Sequence, residues 1–458
     1  MMHTECTTEQ LVFQGFSKAP VVADFNGGSI TSDAGALLLS QVEHARGIIA
    51  KFAACFTDYR NPASIRHSLE SMVFQRAVGL ALGYEDINDH EQLRYDPLFQ
   101  MICRRAAVPR ADQPTEPLAG KSTLQRAETP GERRYHRIDV DEQKVGDYFV
   151  DTYLDSLKER PREIILDLDA TDDRLHGQQE GRFFHGYYDC YCYLPLYIFA
   201  GDALVCAKLR RSNIDASAGA LEEVQRIVAR IRSRLPRVRI LLRADSGFCR
   251  EALMSWCEAN GVFYLFGMAR NARLRERVRK QLNRARRHWA EGRRPARVYT
   301  QFGYRTRSSW SRRRRVVAKA EYLGDKENPR FVVTNLASAQ SNAQQLYERG
   351  YCPRGQMENH IKEQQLYLFA DRTSSATMRA NQIRLWLSSV AYLLLCELRR
   401  TALAATELAA AQCDTIRLKL LKVGARVRRT ARRVVVSFAT GYPYRREFIH
   451  AARAFGAG

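Results

Sequence analysis

The chain of 458 residues has no long hydrophobic run: its longest mostly apolar stretch, 385–396, covers about twelve residues. A membrane-spanning helix needs about twenty, so no membrane partner is expected. Residues 1–15 include polar and acidic side chains and carry no apolar signal core, which points to a cytoplasmic location. Cysteine is present, eleven in all, but no two are separated by two residues and only Cys190 and Cys192 lie close. Structural zinc sites use such spacings, and secreted disulfide frameworks are shorter and denser in cysteine. The thiols therefore read as reduced and mostly buried. A glycine-rich phosphate loop of the nucleotide-hydrolase type is also missing, which argues against ATP dependence. No internal repeat is visible.

Acidic residues are outnumbered. Asp and Glu total 50 against 72 Lys and Arg, leaving a formal charge of +22. Such an excess favours a polyanion, and with the bilayer set aside that partner is nucleic acid. A 45% hydrophobic content is enough for a sizeable core and excludes a wholly disordered chain. The excess is also local: 270–315 holds 18 basic and 2 acidic residues, a net +16. Charge so concentrated destabilises a fold that has no anionic partner. Arg284, Arg286 and Arg287 and the run Arg312, Arg313, Arg314 and Arg315 are thus candidate contacts to DNA phosphates. Trp289, Tyr299, Tyr304 and Trp310 are candidates for stacking.

Periodicity gives an α/β chain. Strands are expected at 19–25, 163–169, 192–199, 203–209, 238–243, 262–268, 316–322 and 330–336. Helices are expected over 62–83, 218–235, 250–260, 354–369 and 377–411, with a polar, proline-containing loop at 110–137. Tyr187, Tyr188, Tyr191 and Tyr193 read as ordinary sheet residues. The order of elements after 162 suits a mixed sheet with helices against it.

Three groups of residues could carry chemistry. Asp167, Asp169, Asp172 and Asp173 crowd the end of an apolar strand. Like charges packed so closely repel unless a cation neutralises them, and a hard divalent ion does so; a solvated acidic loop is the competing reading. Asp245 ends a second buried strand, where open α/β sheets place their sites, although Ser246-Gly247 equally suits a turn. Arg354, Glu358, Lys362 and Gln365 recur at helical spacing, which puts an acid between cations on one face. An ordinary salt-bridged surface helix has the same pattern. His176, His185 and His360 match no zinc spacing and read as structural or supporting residues.

Taken together, these residues resemble a known family. Asp-x-Thr on a first strand, Asp after a later strand, and Tyr, two residues, Arg, three residues, Glu on a helix are similar to the DDE transposases. The wording of Thr31-Ser32-Asp33-Ala34-Gly35, Arg66-His67-Ser68-Leu69, Ala81-Leu82-Gly83-Tyr84-Glu85-Asp86, Arg243-Ala244-Asp245-Ser246-Gly247-Phe248 and Arg354-Gly355-Gln356-Met357-Glu358-Asn359 resembles insertion-sequence (IS) transposases of family 1380, in the IS4-like group. The resemblance implies an RNase H-like core with a mixed five-stranded sheet and flanking helices, interrupted by a β-rich basic insertion. On this reading 1–155 is an α+β N-terminal domain that binds DNA ends. The core comprises 156–270 and 330–411, the insertion 271–329, and a basic tail 412–458.

It further implies Asp169, Asp245 and Glu358 as the catalytic triad, binding two Mg2+ ions that Mn2+ can replace. Asp167 and Asp172 are the alternatives within the first cluster. Tyr351 and Arg354 would position a phosphate. The family's terminal lysine position is Gln365 here, and Lys362, one turn earlier, is the candidate substitute. The partners implied are double-stranded DNA, as transposon ends and as target, and a second copy of the chain on that DNA, in a bacterial nucleoid. An RNase H-like nuclease that cuts without joining and a non-catalytic DNA-binding relative are the competing functions.

Overall fold

The computed structural model describes residues 10–14, 21–103, 116–129, 137–292, 294–324, 326–430 and 433–457. Residues 110–115 and 130–136 of the expected 110–137 loop lie outside them; within its described part a short helix, Lys121–Glu128, forms. Among the described residues no helix is long and apolar enough to cross a membrane. The chain makes two compact units, one of 1–139 with 390–458 and the other of 140–389.

The first unit is mainly helical. Its longest N-terminal helix, Leu69–Leu82, starts where the Ser68 side chain accepts the Ser71 N–H and stops where Gly83 turns left-handed at φ 96°. A strand of two residues, Ile30–Thr31, pairs with Ala425–Arg429, which pairs in turn with Val434–Phe438. The two ends of the sequence thus share one small sheet. Asp33, just after that strand, is buried and accepts the Tyr84 hydroxyl at 2.7 Å; the Lys422 ammonium lies 2.7 Å away. The carboxylate is therefore neutralised by a lysine from the far end of the sequence, and the TSDAG and LGYED wording reports a structural clamp.

Elsewhere in this unit Arg76 Nε donates to Glu128 at 2.5 Å, and Arg76 Nη1 lies 3.1 Å from His90 Nε2. Burial first, and then the Arg76 charge, hold the His90 pKa well below its ordinary 6.5. The folded state therefore binds fewer protons than the unfolded chain once the pH drops below 6.5, and stability falls with pH there. A thermal melt at pH 5.0 should lie below one at pH 7.5, and His90→Gln should flatten that difference while lowering both.

The second unit is built on a nine-stranded sheet. Its strands are β1 (Glu163–Ala170), β2 (Leu196–Ala200), β3 (Ala203–Lys208), β4 (Arg239–Ala244), β5 (Phe263–Met268), β6 (Ala296–Tyr304), β7 (Arg314–Leu323), β8 (Lys326–Glu327) and β9 (Arg330–Thr334). The order is β3-β2-β1-β4-β5-β9-β7-β6, with β8 paired to β7. β1, β4 and β5 are parallel and every other pairing is antiparallel. The central strands are nearly continuous apolar runs because both faces are covered.

Helix α1 (Ala220–Arg234) covers one face. Val224, Ile227, Val228 and Ile231 recur at helical spacing and are buried, each worth about 1.5–3 kcal/mol. Glu222 and Glu223 in its first turn and Arg232 and Arg234 in its last suit the helix dipole.

Two differences from the sequence reading stand out. The expected strand at 192–199 is broken at Leu194-Pro195, and its first part, Cys190–Tyr193, joins a separate three-stranded side sheet with Asp173–Arg174 and Phe183–His185. Proline has no N–H to donate to a ladder, which is why the pairing changes there. Within 271–329, Ala272–Arg277 and Arg279–Gly292 are helical, while the strands β6 and β7 lengthen the main sheet through β9.

Candidate active site

Register alone brings two acids together. Leu168 of β1 and Ala244 of β4 are partners in a parallel pair, so Asp169 and Asp245, each one position further, come to lie side by side. Asp169 Oδ1 accepts the N–H of Ala170 at 2.9 Å. Burial pushes the Asp169 carboxyl up to about 6; the Arg354 charge opposes the rise and the Asp245 charge adds to it. Asp245 Oδ1 accepts the Gly247 N–H at 2.8 Å and caps the turn Ser246–Phe248. The turn-capping reading of Asp245 and its place beside Asp169 are both true.

The third acid arrives on a helical run. Leu346–Tyr351 is π-helical, Cys352–Gly355 is a 3-10 turn, Gln356–Lys362 is α-helical and Glu363–Tyr367 is π-helical again. Pro353 opens the 3-10 turn, where its missing N–H costs nothing. Arg354 Nη1 donates to Asp169 Oδ2 at 3.0 Å, and its Nη2 lies 3.9 Å from Glu358 Oε1. The guanidinium therefore stands between an acid on the sheet and an acid on the helix. Burial works against its charge, but Asp169, Tyr351 and Asp245 together raise its pKa above the ordinary value. The Glu358 side chain is 56% exposed.

Asp167, on the same face of β1 as Asp169, is committed elsewhere. Arg243 Nε and Nη2 donate to its two carboxylate oxygens, both at 2.6 Å, and Arg243 Nη1 donates to the Gly350 carbonyl at 2.9 Å. This buried pair ties the helical run to the sheet; removing one partner of such a pair costs about 3–5 kcal/mol. Asp173 is fully buried, and its carboxyl is pushed up to about 8, by burial first. Gln365 donates from Nε2 to Asp173 Oδ1 at 2.9 Å and to the Asp172 carbonyl at 3.1 Å. It holds the acid turn against the helix. Lys362 is exposed.

Sequence reasoning missed Gly267, at the end of β5. A Cβ there would lie 2.5 Å from the Tyr351 hydroxyl oxygen and 3.1 Å from the Ser246 nitrogen. The absent side chain makes the room in which Tyr351 reaches the Asp245 turn, and only a three-dimensional view reveals it. Gly267→Ala should cost activity about tenfold or more by displacing that hydroxyl. In the double variant with Tyr351→Phe the loss should be smaller than the product of the two single losses, measured as a coupling in initial rates.

The basic residues divide. Arg284, Arg286 and Arg287 are exposed on Arg279–Gly292, and Arg312 and Arg313 are exposed ahead of β7. The Arg314 side chain is 2% exposed and is held by Glu251 and Glu258, both at 2.6 Å. Arg315 donates to Gln301 and to the carbonyls of Leu336 and Ser341. Glu251, Ser255 and Glu258 share one face of the helix Glu251–Ala259, and that acidic spacing was the signal for Arg314's partner. Trp310 and Tyr304 are buried against each other, so neither is free to stack on a base. His360 stacks on Phe199, His185 packs on Tyr188 and His176 is exposed.

For a metal, the donors are all carboxylate oxygens, which suits a hard divalent ion. Burial first, and the Asp245 charge after it, lift the Asp169 pKa, and a cation there would favour the charged carboxylate. As arranged here, a guanidinium stands between the carboxylates, and among the described residues no group of three or more His, Cys, Asp or Glu gathers closely enough to grip an ion.

Two carboxylates at adjacent strands thus face an acid and an arginine on a helix. The sequence model of the family described as transposase DDE domain, group 1, matches residues 13–456. The chain belongs to that family, whose members are transposases. No curated protein matches it significantly.

Proposed function

We propose that the protein is the transposase of an insertion sequence of family 1380, in the IS4-like group. It binds the ends of its element, cleaves DNA to free 3′-hydroxyls and joins them to target DNA. The observation that carries this reading is the meeting of Asp169 and Asp245 at adjacent strand ends, with Arg354 linking them to Glu358. The strand order β3-β2-β1-β4-β5 supports an RNase H-like core within the larger sheet.

In the first step a water oxygen bonds to phosphorus as the P–O3′ bond breaks; in the last, the freed 3′-oxygen attacks a target phosphate and another P–O3′ bond breaks. Two Mg2+ ions, or Mn2+ in their place, held by Asp169, Asp245 and Glu358, would supply charge neutralisation at the attacking and leaving oxygens. Arg354 is suited to bidentate contact with a phosphate and can exchange its bond to Asp169 for one to substrate. Tyr351, packed against Gly267, orients that guanidinium. Arg284, Arg286, Arg287, Arg312 and Arg313 hold backbone phosphates, with Lys362 as a further contact. Arg314 and Arg315 shape the surface that presents them. The N-terminal unit takes the role of recognising the ends, and pairing two ends calls for two copies of the chain.

The test is a strand-transfer assay with end-containing DNA, a target plasmid and Mg2+. Joined products support the proposal. Cut ends without joining point to a nuclease, and binding without cutting to a non-catalytic relative.

A further inference from the structure

Residues 416–458 hold 11 Lys and Arg against a single acid, Glu447, a second concentration of positive charge after 270–315. Several of these cations are committed inside the first unit. Arg417 donates to the carbonyls of Leu80 and Ala81, Lys422 faces Asp33, and Arg429 Nη2 donates to the Pro97 carbonyl at 3.2 Å. Arg426 and Arg428 differ: both are exposed, and neither meets a carboxylate among the described residues.

Strand alternation puts these two arginines on one face. In the hairpin of Ala425–Arg429 with Val434–Phe438, Ala425 and Val427 are buried, so Arg426 and Arg428 point the other way. Ser437 and Val435 stand opposite them across the pairing, and Ile30, 59% exposed, flanks Arg426 on its other side. Gly28 leaves room for Arg426, since a Cβ there would lie 3.3 Å from the Arg426 Nε. The third strand, Ile30–Thr31, pairs only with Ala425 and Arg426, so beyond it the hairpin is a ribbon of two strands.

The chemistry of that face suits base edges. A surface that only grips backbone phosphates needs repeated cations, whereas the row Ser437, Arg426, Ile30 sets a hydroxyl, a guanidinium and an alkyl group side by side. Each matches something the major groove displays: arginine pairs with guanine O6 and N7, serine with a donor or an acceptor, and an apolar group with the thymine methyl. The groove is about 12 Å wide and admits a two-stranded ribbon, whose strands lie about 4.8 Å apart. The minor groove, at about 6 Å, is too narrow.

We propose that the exposed face of this hairpin enters the major groove of the element's end duplex, where Arg426 and Arg428 contact guanine edges. The charge of 416–458 draws the duplex in, and the ribbon reads it. This inference rests on the transposase reading and names the surface of the first unit that recognises the ends.

The experiment measures binding of the full chain, carrying Asp245→Asn to prevent cutting, to two duplexes of equal length and composition by fluorescence anisotropy. One carries the element's terminal sequence and the other a scrambled version. The terminal duplex should bind more tightly. Arg426→Ala and Arg428→Ala should each weaken it roughly tenfold or more, weaken the scrambled duplex by less than about threefold, and keep the melting temperature of the parent. Replacing guanines of the terminal duplex singly by 7-deazaguanine, which lacks the N7 acceptor, should weaken the parent at certain positions. Arg426→Ala should be indifferent to one of these positions and Arg428→Ala to another.

Equal losses on both duplexes, with a shallower dependence on salt, would make the two arginines phosphate contacts and overturn the base-reading face. So would no loss with either variant, a parent that binds both duplexes equally, or a parent insensitive to every 7-deazaguanine. The strand-transfer assay on the chain without Asp245→Asn judges the transposase reading separately. A parent that binds neither duplex would overturn that reading too.

Discussion

Asp245→Asn is expected to abolish cleavage and joining, by about 10³-fold or more, with DNA affinity kept within about twofold. The magnitude follows from removing a carboxylate that neutralises charge in the transition state, worth several kcal/mol at about 1.4 kcal/mol per decade of rate. Asparagine is the informative choice because its amide oxygen can still accept the Gly247 N–H that Asp245 accepts at 2.8 Å. The turn Ser246–Phe248 then keeps its cap, and lost activity reports lost charge. Asp245→Ala removes both and should add about 1 kcal/mol of destabilisation. Asp169→Asn and Glu358→Gln should match the asparagine variant in rate. Asp167→Asn should differ in kind, because it leaves the buried Arg243 charge poorly paired and lowers the melting temperature. An Asp245→Asn protein that retains a tenth of the parent rate in the strand-transfer assay would remove Asp245 from the chemistry.

How much of this site could be read from the sequence depends on whether its determinants are local. Asp169 and Asp245 were legible because each ends an apolar run, and Arg354 and Glu358 because helical spacing aligns them. The neutralisation of Asp167 was not, since Arg243 lies 76 positions away and meets it only through the parallel register of β4 on β1. The row Arg312, Arg313, Arg314 and Arg315 looks uniform as text. Alternation along β7 turns Arg314 onto Glu251 and Glu258 and Arg315 the other way, while Arg312 and Arg313 precede the strand and stay exposed, Arg312 lying 3.4 Å from Glu258. Sheet order is likewise non-local: Met268 pairs with Phe331, so the basic segment between them extends the sheet instead of leaving it. Of the four tyrosines near 190, Tyr191 and Tyr193 lie in the strand Cys190–Tyr193 as read, while Tyr187 and Tyr188 fall in the turn before it, which aromatic composition alone does not reveal.

Gly35→Ala is expected to destabilise the first unit by about 3 kcal/mol or more, although nothing about its backbone asks for glycine. Its φ of −68° and ψ of −13° are ordinary helical values that alanine adopts freely. The obstacle is space: a Cβ there would lie 1.8 Å from the Leu420 carbonyl oxygen and 2.4 Å from the Leu421 Cα. Both are main-chain atoms, held because the Gly35 N–H donates to the Leu421 carbonyl at 3.1 Å and the Ala34 N–H to Val423 at 2.9 Å. No rotamer change relieves such a contact; the two segments must move apart. Separation would pull Asp33 from Lys422 and unzip Ile30–Thr31 from Ala425–Arg429. The natural control is Gly47, which has φ 64° and no atom within 4 Å of the point an alanine methyl would occupy, so its alanine variant should cost only about 1–2 kcal/mol of backbone strain. Chemical denaturation of the two variants should therefore rank Gly35→Ala well below Gly47→Ala. The reverse ranking would mean that the N-terminal helix is not seated on the 420–423 backbone, and that the shared sheet of the two chain ends is dispensable for the stability of the unit.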